Sequence, residues 1–350
     1  MKLKKLTLAN FRGFDQIDLD FADDVTVIAG VNGVGKSGVL NALATALSLA
    51  LPEFTVSKES VRDLSDTDVQ TGKLTLSLSV ALHLDVATVD VDLTRAAPLS
   101  ANKAENLTRR RDDLRFATRE TKKGSKEEQD INDEIRLIET QLDQASGIAA
   151  VRILPNDAET NRDELVDTLK ADSKQPFAVF YTTSRFFSRL PPSLPKTKKI
   201  DATIAHDKSL SQLEVSLNDF ANWYRVVKIE AAANTKDRLL QQLEQAIQTF
   251  LPDVCNLALN EGRPPRFSVT KGGQSLFLEQ LSDGERGLLA LVFDLTRRLA
   301  IANSESENPI AEGAALVLID EIELHLHPSW QRRVLRSLQA AFKQCQFVVT

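Results

Sequence analysis

The feature that most constrains this chain is a glycine-rich segment at residues 30–37, which reads G-V-N-G-V-G-K-S. It follows a short apolar stretch at residues 25–29 and precedes a second apolar stretch from Lys36 to about Leu49. Glycines let backbone N–H groups turn inward around a phosphate, and the N-terminus of a following helix attracts anions. G-x-x-x-x-G-K-S between a strand and a helix therefore predicts a phosphate-binding loop in an α/β fold.

Two side chains of this loop have a predicted chemical role. Lys36 is placed to reach the β- and γ-phosphates of a nucleotide, and the Ser37 hydroxyl is placed to ligate Mg²⁺. Gly30, Gly33 and Gly35 leave room for the anion. The loop therefore predicts a nucleotide as ligand, with Mg²⁺ as its counter-ion.

A second acidic site lies near residue 320. Residues 315–319 are all apolar, and Asp320 and Glu321 follow them, which is the Walker B pattern. A buried strand here would place Asp320 beside the phosphate loop, where its carboxylate can orient Mg²⁺, directly or through water. Glu321 is then placed to polarise an attacking water. Two adjacent acids alone are typical of a solvated corner, but together with the Lys36 loop they predict a hydrolytic site.

A third motif, L-S-D-G-E-R at residues 281–286, precedes a leucine- and alanine-rich helix that we expect to reach about Ile301. Ser282 is a good N-cap residue, and Glu285 stands three residues later, as in a capping box. One interpretation is a well-capped helix. The other is a second phosphate site, because a Ser-x-Gly loop at a helix N-terminus also binds anions.

These motifs carry a family resemblance. L-S-x-G-E about forty residues before a Walker B strand resembles the signature of ABC-type ATPases. N-F-R-G-F at residues 10–14, followed by the phosphate loop, is similar to the SMC/RecF/OLD-like branch, which acts on nucleic acids, rather than to transporter subunits. D-E-I-E-L-H-L-H-P-S-W-Q at residues 320–331 resembles the stand-alone ATPases of anti-phage defence, with the PtuA ATPases of Septu and retron systems as the nearest match.

The resemblance implies ATP and Mg²⁺ as ligands and a head-to-head homodimer, or a higher oligomer, around ATP. In this family the signature loop contacts the γ-phosphate of ATP bound to the opposite protomer. The implied nucleotide-binding residues are Arg12, Gly30, Asn32, Gly33, Gly35, Lys36, Ser37, Ser282 and Gly284. The implied metal ligands are Ser37 and Asp320. The implied catalytic residues are Glu321, Asp320 and Lys36.

The expected fold class is α/β, an ABC-type P-loop NTPase head with a mainly parallel core sheet, an antiparallel β lobe and a helical-hairpin insertion. Apolar and polar residues alternate at 73–94, which predicts an antiparallel pair of strands. We expect four segments: an N-terminal part of the head at 1–98, the hairpin at 99–150, a mixed and helical lobe at 151–262, and a C-terminal part of the head at 263–350. The apolar residues 347–350 indicate an internal strand, so we expect the head to be cut at 350.

The hairpin prediction depends on charge and periodicity. Residues 101–126 contain nine basic and four acidic side chains, and residues 127–147 contain one basic and seven acidic ones. Ile131, Ile135 and Ile138 recur at helical spacing. Two helices that neutralise each other fit this pattern. A solvated insertion and an arm that contacts nucleic acid both remain open.

Two family elements have no certain position. A switch histidine would follow residue 350, so we expect hydrolysis to be weak if the chain ends there. The Q-loop glutamine has two candidate locations, Gln70 and the segment 181–185. His325 and His327 are spaced i, i+2, with only Glu323 near enough to join them on a metal. A structural or interface role for these histidines is the favoured interpretation.

Composition sets further limits. The net charge of −6 and 42% hydrophobic residues are typical of a globular protein and exclude collagen, a disulfide scaffold and global disorder. No apolar run approaches the roughly 18 residues of a membrane helix, and no apolar stretch follows the N-terminal lysines, so we expect neither a membrane partner nor a signal peptide. Cys255 and Cys345 lack metal-ligand spacing, which indicates a reducing, cytoplasmic location.

The function we expect is an ATPase that senses or regulates a partner nuclease in anti-phage defence. No H-N-H pattern occurs in the sequence, so the nuclease, expected to be of the HNH type, would be a separate protein or a missing C-terminal segment. DNA or RNA is a further expected partner. The alternatives are a RecF/SMC-like DNA repair or recombination ATPase, and a nucleotide-gated scaffold with little turnover.

Overall fold

The computed structural model describes residues 1–59, 61–97, 101–120, 126–144, 148–156, 160–171, 175–198, 200–211, 214–232 and 237–350. Its strands are β1 (Lys2–Phe11), β2 (Phe14–Asp20), β3 (Val25–Val27), β4 (Thr75–Leu84), β5 (Ala87–Ala96), β6 (Ile148–Pro155), β7 (Ala178–Tyr181), β8 (Val254–Asn260), β9 (Arg266–Lys271), β10 (Gln274–Phe277), β11 (Leu316–Ile319) and β12 (Gln346–Val349). Its helices are α1 (Lys36–Phe54), α2 (Ala101–Glu120), α3 (Lys126–Gln144), α4 (Arg162–Ala171), α5 (Thr203–His206), α6 (Leu217–Ala232), α7 (Asp237–Phe250), α8 (Asp283–Ala302), α9 (Pro309–Glu312), α10 (Pro328–Gln331) and α11 (Val334–Ala341).

The strands form three sheets. A parallel sheet has the order β3-β12-β11-β7, and an antiparallel sheet has the order β2-β1-β4-β5-β6. A smaller antiparallel sheet has the order β10-β9-β8. The strands β7, β11 and β12 of the parallel sheet are short, mostly apolar and buried along their full length, as expected for a parallel sheet that is covered on both faces.

The two faces of the parallel sheet pack against different layers. Leu316 and Leu318 of β11 join α1 and the larger antiparallel sheet in one hydrophobic cluster. Val317 and Ile319 point the other way and join α6, α7 and α8 in a second cluster. Alternate side chains of a strand point to opposite faces, so this one strand contributes to both cores. The layer order places the start of α1 at the carboxyl edge of the parallel sheet.

The helix α1 is buried between the two sheets, which explains why it is apolar nearly all round. It continues past the predicted end near Leu49 to Phe54, with Pro52 in its last turn. Among the described ranges, α1 is the one helix that is long and apolar enough to cross a membrane, by length and composition alone. An apolar stretch of this length was not predicted from the sequence. Of the apolar window of α1, 72% is buried inside the protein, as in a core helix.

The predicted hairpin is present as α2 and α3, inserted between the adjacent strands β5 and β6. The arms are joined by ion pairs: Arg110 contacts Glu134, and the Arg115 Nη2 lies 2.5 Å from the Glu139 Oε1. Ile135 and Ile138 of the predicted stripe are buried. The arms therefore neutralise each other, and the four α2 arginines with described side chains each lie near a carboxylate.

Three local features differ from the sequence expectations. The strand β6 was not predicted and crosses the expected boundary at residue 150; it is an edge strand with exposed Val151 and Leu154, which weakens its alternation. The strand β8 was not predicted because a bulge between Cys255 and Ala258 interrupts its pattern. The helical spacing of Trp330, Val334, Leu338 and Phe342 predicts a single helix at 329–343, but the structure has two, α10 and α11, with a tighter turn between them.

Candidate functional site

The phosphate loop lies between β3 and α1, as its motif predicts. The amide of Ile28 donates to the Val349 carbonyl at 2.8 Å, which keeps the start of the loop in register with β12. The Lys36 Nζ donates to the carbonyl oxygens of Gly30 at 2.8 Å and Val31 at 3.2 Å. The ammonium group is therefore held inside the loop by two oxygen acceptors, the type of partner that a phosphate would offer.

Gly33 and Gly35 both have the left-handed backbone that favours glycine, and Gly35 is in addition sterically restricted. The φ of Gly35 is 105°, a left-handed conformation that other residues rarely adopt. A Cβ there would lie 2.7 Å from the Cε2 of Phe14, which packs against the loop from the β1–β2 turn. The N-F-R-G-F segment thus supports the phosphate loop directly. Gly30, Asn32 and Gly33 lie on the exposed surface of the loop.

Asp320 meets the loop at the end of β11. The Ser37 hydroxyl donates to the Asp320 Oδ1 at 3.0 Å. The Thr350 hydroxyl donates to the same oxygen at 2.7 Å. Asp320 is 6% exposed, so these contacts replace most of its solvation. Two residues predicted to share one metal, Ser37 and Asp320, are therefore adjacent although 283 residues separate them.

Glu321 occupies the turn that follows β11. Its φ of 46° is unusual for a residue other than glycine. Its amide donates to the Thr350 Oγ1 at 2.9 Å. The neighbouring amide of Ile322 donates to the Thr350 carbonyl at 3.0 Å. The turn therefore has fixed partners on the β12 side, which hold it in this strained conformation.

Arg185 holds the same turn from the β7 side. The sequence had placed it only within the candidate Q-loop segment 181–185 and had given the arginine no role of its own. The guanidinium donates to three backbone carbonyls, those of Asp320 at 2.7 Å, Glu321 at 2.8 Å and Ile322 at 3.1 Å. Burial lowers the pKa of Arg185, and the nearby carboxylates oppose that shift only in part. The only sequence signal was a basic residue closely following an apolar strand.

Arg12, assigned to the nucleotide site by resemblance, lies against the first turn of α1. Its Nε contacts the Asp68 Oδ1 at 2.7 Å, and a Cβ on Gly38 would lie 3.0 Å from its Nη1. The Arg12 side chain is 41% exposed and so remains accessible. Asp68, the partner that sequence reasoning missed, lies two residues from Gln70. The Gln70 amide donates to the Asn10 carbonyl at 2.9 Å, which places this Q-loop candidate beside the same turn.

The signature loop forms the capping box that its sequence predicts. The Ser282 hydroxyl and amide bond to the Glu285 Oε2 at 2.7 and 3.0 Å, and the Lys271 Nζ reaches the other oxygen of Glu285 at 2.5 Å. Burial raises the pKa of Glu285, but the hydrogen bonds from Lys271 and Ser282 outweigh it, so its pKa lies below the usual value. Within the described ranges, no hydrogen bond joins Ser282 to the phosphate loop.

Gly284 makes the closest approach in this region. A Cβ at Gly284 would lie 2.5 Å from the carbonyl oxygen of His325, so the start of α8 lies directly on the segment that follows Glu321. The His325 ring packs against Phe186 with centroids 5.8 Å apart. His327 caps α10, because its Nδ1 accepts from the Ser329 amide at 3.3 Å. Both histidines therefore have packing or capping partners.

An apolar cavity of about 330 Å³ adjoins the phosphate loop. It is lined by Phe14 and Ile17 of β2, by Val27 and Val34, and by the stem of Lys36. Ligand sites are mostly apolar with a few polar groups, and this cavity combines both at one end of the loop. Its size and its position beside Lys36 suit a planar base attached to a phosphate chain.

The oxygen donors of the site fit Mg²⁺ better than a transition metal. Within the described part of the chain, no cluster of three His, Cys, Asp or Glu side chains is placed to hold a metal ion. The adjacent oxygens of Ser37 and Asp320 match the usual Mg²⁺ arrangement, in which one or two protein oxygens act together with substrate phosphates and water. The residues present therefore fit a metal that arrives with a nucleotide.

A family model described as an AAA ATPase domain matches residues 1–350. The chain therefore belongs to the AAA ATPase domain family. A crystal structure of an SMC head bound to the C-winged helix domain of ScpA superposes with a TM-score of 0.51 at 16% identity, covering 100% of this chain and 89% of that one. The fold is that of an SMC head, and the predicted fold class is confirmed.

Two relatives by sequence refine the resemblance. The retron Ec83 probable ATPase of Escherichia coli is 27% identical over 380 aligned residues, covering 100% of this chain and 68% of that protein. The Septu protein PtuA of Bacillus mycoides (strain KBAB4) is 41% identical over 73 residues, 21% of this chain and 10% of that one. The predicted relationship to SMC/RecF-like ATPases and to the retron and Septu ATPases is confirmed, with the longer of these two matches to the retron protein.

Proposed function

We propose that this protein binds ATP with Mg²⁺ and hydrolyses it to ADP and phosphate. The observation that carries the proposal is the 3.0 Å contact between the Ser37 hydroxyl and the Asp320 carboxylate, with Glu321 next in the chain. Phosphoryl transfer is accelerated mainly by positioning and charge stabilisation, and both require the phosphate loop and the acidic strand end to be adjacent. Membership of an ATPase family supports the same conclusion.

In this proposal the loop amides and Lys36 bind the phosphates. Lys36 exchanges its bonds to the Gly30 and Val31 carbonyls for phosphate oxygens. Arg12 and Asn32 contact the nucleotide from the exposed side of the loop, and the cavity lined by Phe14 and Ile17 accepts the adenine base. Mg²⁺, held by Ser37 and Asp320, would neutralise charge on the phosphates when bound. Glu321 accepts a proton from the attacking water.

We further propose that two copies associate head to head around two ATP molecules. Ser282 and Gly284 would then contact the γ-phosphate bound by the opposite protomer. The position of the signature loop supports this, since Gly284 lies against the segment that follows Glu321 and, among the described residues, Ser282 makes no hydrogen bond to the phosphate loop of its own chain. ATP would act as a cross-subunit ligand, and hydrolysis by Glu321 would release it, which gives a two-state switch.

The biological setting is also a proposal. The likeness to retron and Septu ATPases supports a role in anti-phage defence, in the cytoplasm, as a sensor or regulator of an HNH-type nuclease subunit. DNA or RNA is the proposed trigger or cargo. Co-expression with the nuclease encoded beside this chain and co-purification with and without ATP would test it. A protein that purifies alone and has an ATPase stimulated by DNA ends would favour a repair role instead.

The first experiment tests hydrolysis with two variants and matched controls. Lys36→Ala should weaken ATP binding at least tenfold, because it removes the cation inside the loop. Glu321→Gln should leave ATP binding within about twofold but reduce phosphate release at least 100-fold, the range seen when a positioned base is removed. The readouts are phosphate release and binding of a fluorescent ATP analogue.

Lys73→Ala and Glu305→Gln are the controls, since each removes the same charge from an exposed residue outside the proposed contacts. Light scattering on the same samples tests assembly, and Glu321→Gln should remain dimeric in ATP. Wild-type phosphate release in Glu321→Gln would refute the assignment of the base. Normal ATP binding with no phosphate release by the wild type would favour the nucleotide-gated scaffold.

A further inference from the structure

The turn after β11 is held from both sides by residues that lie beyond the carboxyl ends of the neighbouring strands. On one side, Thr350 follows β12 and accepts the Glu321 amide at 2.9 Å. On the other side, Arg185 lies in the segment after β7 and donates to the Glu321 carbonyl at 2.8 Å. The two strands that flank β11 are therefore each followed by a residue that fixes the backbone of Glu321, one at its amide and the other at its carbonyl.

The environment of Arg185 is unusual for an arginine. Its side chain is buried, with 6% of the residue exposed. No carboxylate lies within ion-pair distance of it among the residues that the structure describes, and its donors go to the carbonyls of residues 320–322 and, at 3.4 Å, to that of Thr182. Burying a charge whose hydrogen bonds all go to carbonyl oxygens, with carboxylates only at longer range, opposes folding. We therefore explain the buried arginine by the backbone of residues 320–322, which its hydrogen bonds hold in place.

What Arg185 holds is a strained turn. Glu321 has φ 46°, and His325, four residues later, has φ 62°. A residue outside the common regions persists only where surrounding contacts determine its conformation. Lysine at position 185 has one donor group instead of a planar fork, and it cannot reach three carbonyls in the same geometry.

We propose that Arg185 is a positioning residue that sets the direction of the Glu321 carboxylate for attack of water on ATP. This inference rests on the proposed ATPase function. It gives Arg185 a role through the backbone of residues 320–322, different from that of a glutamine contacting the metal or water. A displacement of about 1 Å at a reacting group can lower a rate about 100-fold, so the effect should appear in turnover.

The test compares Arg185→Ala and Arg185→Lys with Arg189→Ala. Arg189 belongs to the same segment, is exposed, and has no ion pair among the described residues, so it is a matched control for loss of charge. We expect kcat to fall at least tenfold in both Arg185 variants, with the Kd for ATP within twofold of wild type. Arg189→Ala should keep the wild-type kcat and Kd.

A second readout does not depend on turnover. Hydrogen exchange of the amides at residues 321 and 322 should be at least tenfold faster in Arg185→Lys than in wild type, while exchange in α1 stays unchanged. A purely structural role would instead lower the thermal midpoint, raise exchange throughout β11 and weaken ATP binding together with kcat. That pattern overturns the inference, as does unchanged exchange at 321 and 322.

The outcome also separates the two proposals. If Glu321→Gln abolishes hydrolysis while both Arg185 variants keep the wild-type kcat, the positioning role is wrong and the ATPase proposal stands. If Glu321→Gln hydrolyses ATP like the wild type, the assignment of Glu321 as the base in the ATPase proposal is wrong. The exchange measurement then still decides whether Arg185 holds the turn.

Discussion

At the scale of single residues, the buried side chain of His206 makes the stability of this protein depend on pH. His206 is 1% exposed, lies edge-on to Phe177, and within the described chain neither ring nitrogen has a hydrogen-bond partner. Burial lowers its pKa to about 4, and the charge of Arg298 adds to that effect. The folded protein therefore holds this imidazole neutral.

The direction of the pH dependence follows from that pKa. Because the pKa of His206 is lower in the folded state than the usual value of 6.5, the unfolded chain binds a proton first as the pH falls. The stability that neutral His206 contributes is fully present above pH 6.5 and falls by about 3 kcal/mol as the pH drops to 4. Urea unfolding at pH 7.5 and 5 should show most of this loss.

His206→Phe should remove much of that pH dependence, because it keeps an aromatic ring and deletes the titrating group. His83→Gln is the matched control, since His83 is exposed and should leave the slope unchanged. An equal loss of stability between pH 7.5 and 5 in His206→Phe and wild type would contradict this assignment.

Residue spacing explains which site residues could be predicted from sequence. Lys36, Ser37, Asp320 and Glu321 belong to short local motifs whose chemistry depends on adjacent positions. Arg185 could not be found in this way, because its acceptor at Asp320 is 135 residues away and is a backbone carbonyl, which carries no side-chain signal. Thr350 contacts the same turn from 29 residues away.

At the scale of the element, the start of α8 is fixed by close backbone contact. Gly284→Ala would place a Cβ 2.5 Å from the His325 carbonyl, so helix and turn must separate. Overpacking of this kind costs about 1–3 kcal/mol. Gly287→Ala, one turn later in the same helix, meets nothing within 4 Å and should stabilise by about 0.5–1 kcal/mol.

Thermal unfolding of the two glycine variants tests this prediction. We expect the midpoint to fall for Gly284→Ala and to rise for Gly287→Ala. Because the segment after Glu321 is displaced only in the first variant, phosphate release should also fall only there. A higher midpoint for Gly284→Ala would contradict the observed packing.

Whole elements were predictable where one periodicity continued without interruption. The strands β4 and β5 alternate along their full length, and α8 has both a cap and an apolar face, so both were expected. The strands β6 and β8 were missed because an edge position and a bulge disturb their alternation. The division at α10 and α11 comes from the bond between the Arg333 amide and the Trp330 carbonyl, an i to i−3 contact that tightens the chain.

At the scale of the whole molecule, the hairpin of α2 and α3 is separable from the two hydrophobic cores. It is inserted where β5 and β6 are direct neighbours, with Arg95 opposite Ile148. Replacing residues 98–147 by Asn-Gly leaves a four-residue connection, with Ala96 and Ala97, between Arg95 and Ile148. This should preserve the sheet, because loops of that length join antiparallel strands. We expect ATP affinity within about threefold of wild type and the same secondary structure in the remaining chain, measured by analogue binding and circular dichroism.

The same deletion tests whether the hairpin is a nucleic-acid arm. The α2 arginines with described side chains have carboxylate neighbours, so a phosphate contact from any of these four would have to break an ion pair. Affinity for DNA or RNA should be unchanged by the deletion if the hairpin is only a solvated insertion. A loss of binding with a flatter salt dependence would instead identify it as the arm.

The backbone conformation of Glu321 lowers the stability of the protein, although the proposed hydrolysis needs the Glu321 carboxylate. Its φ of 46° suits glycine or asparagine better than glutamate, so glycine at this position would relieve about 1 kcal/mol of backbone strain. A variant library sorted for heat resistance alone should therefore enrich replacements that discard the carboxylate. Engineering of this protein for thermal stability would therefore need a simultaneous screen for turnover, since Glu321, the proposed base, is among the residues that selection by heat alone would replace first.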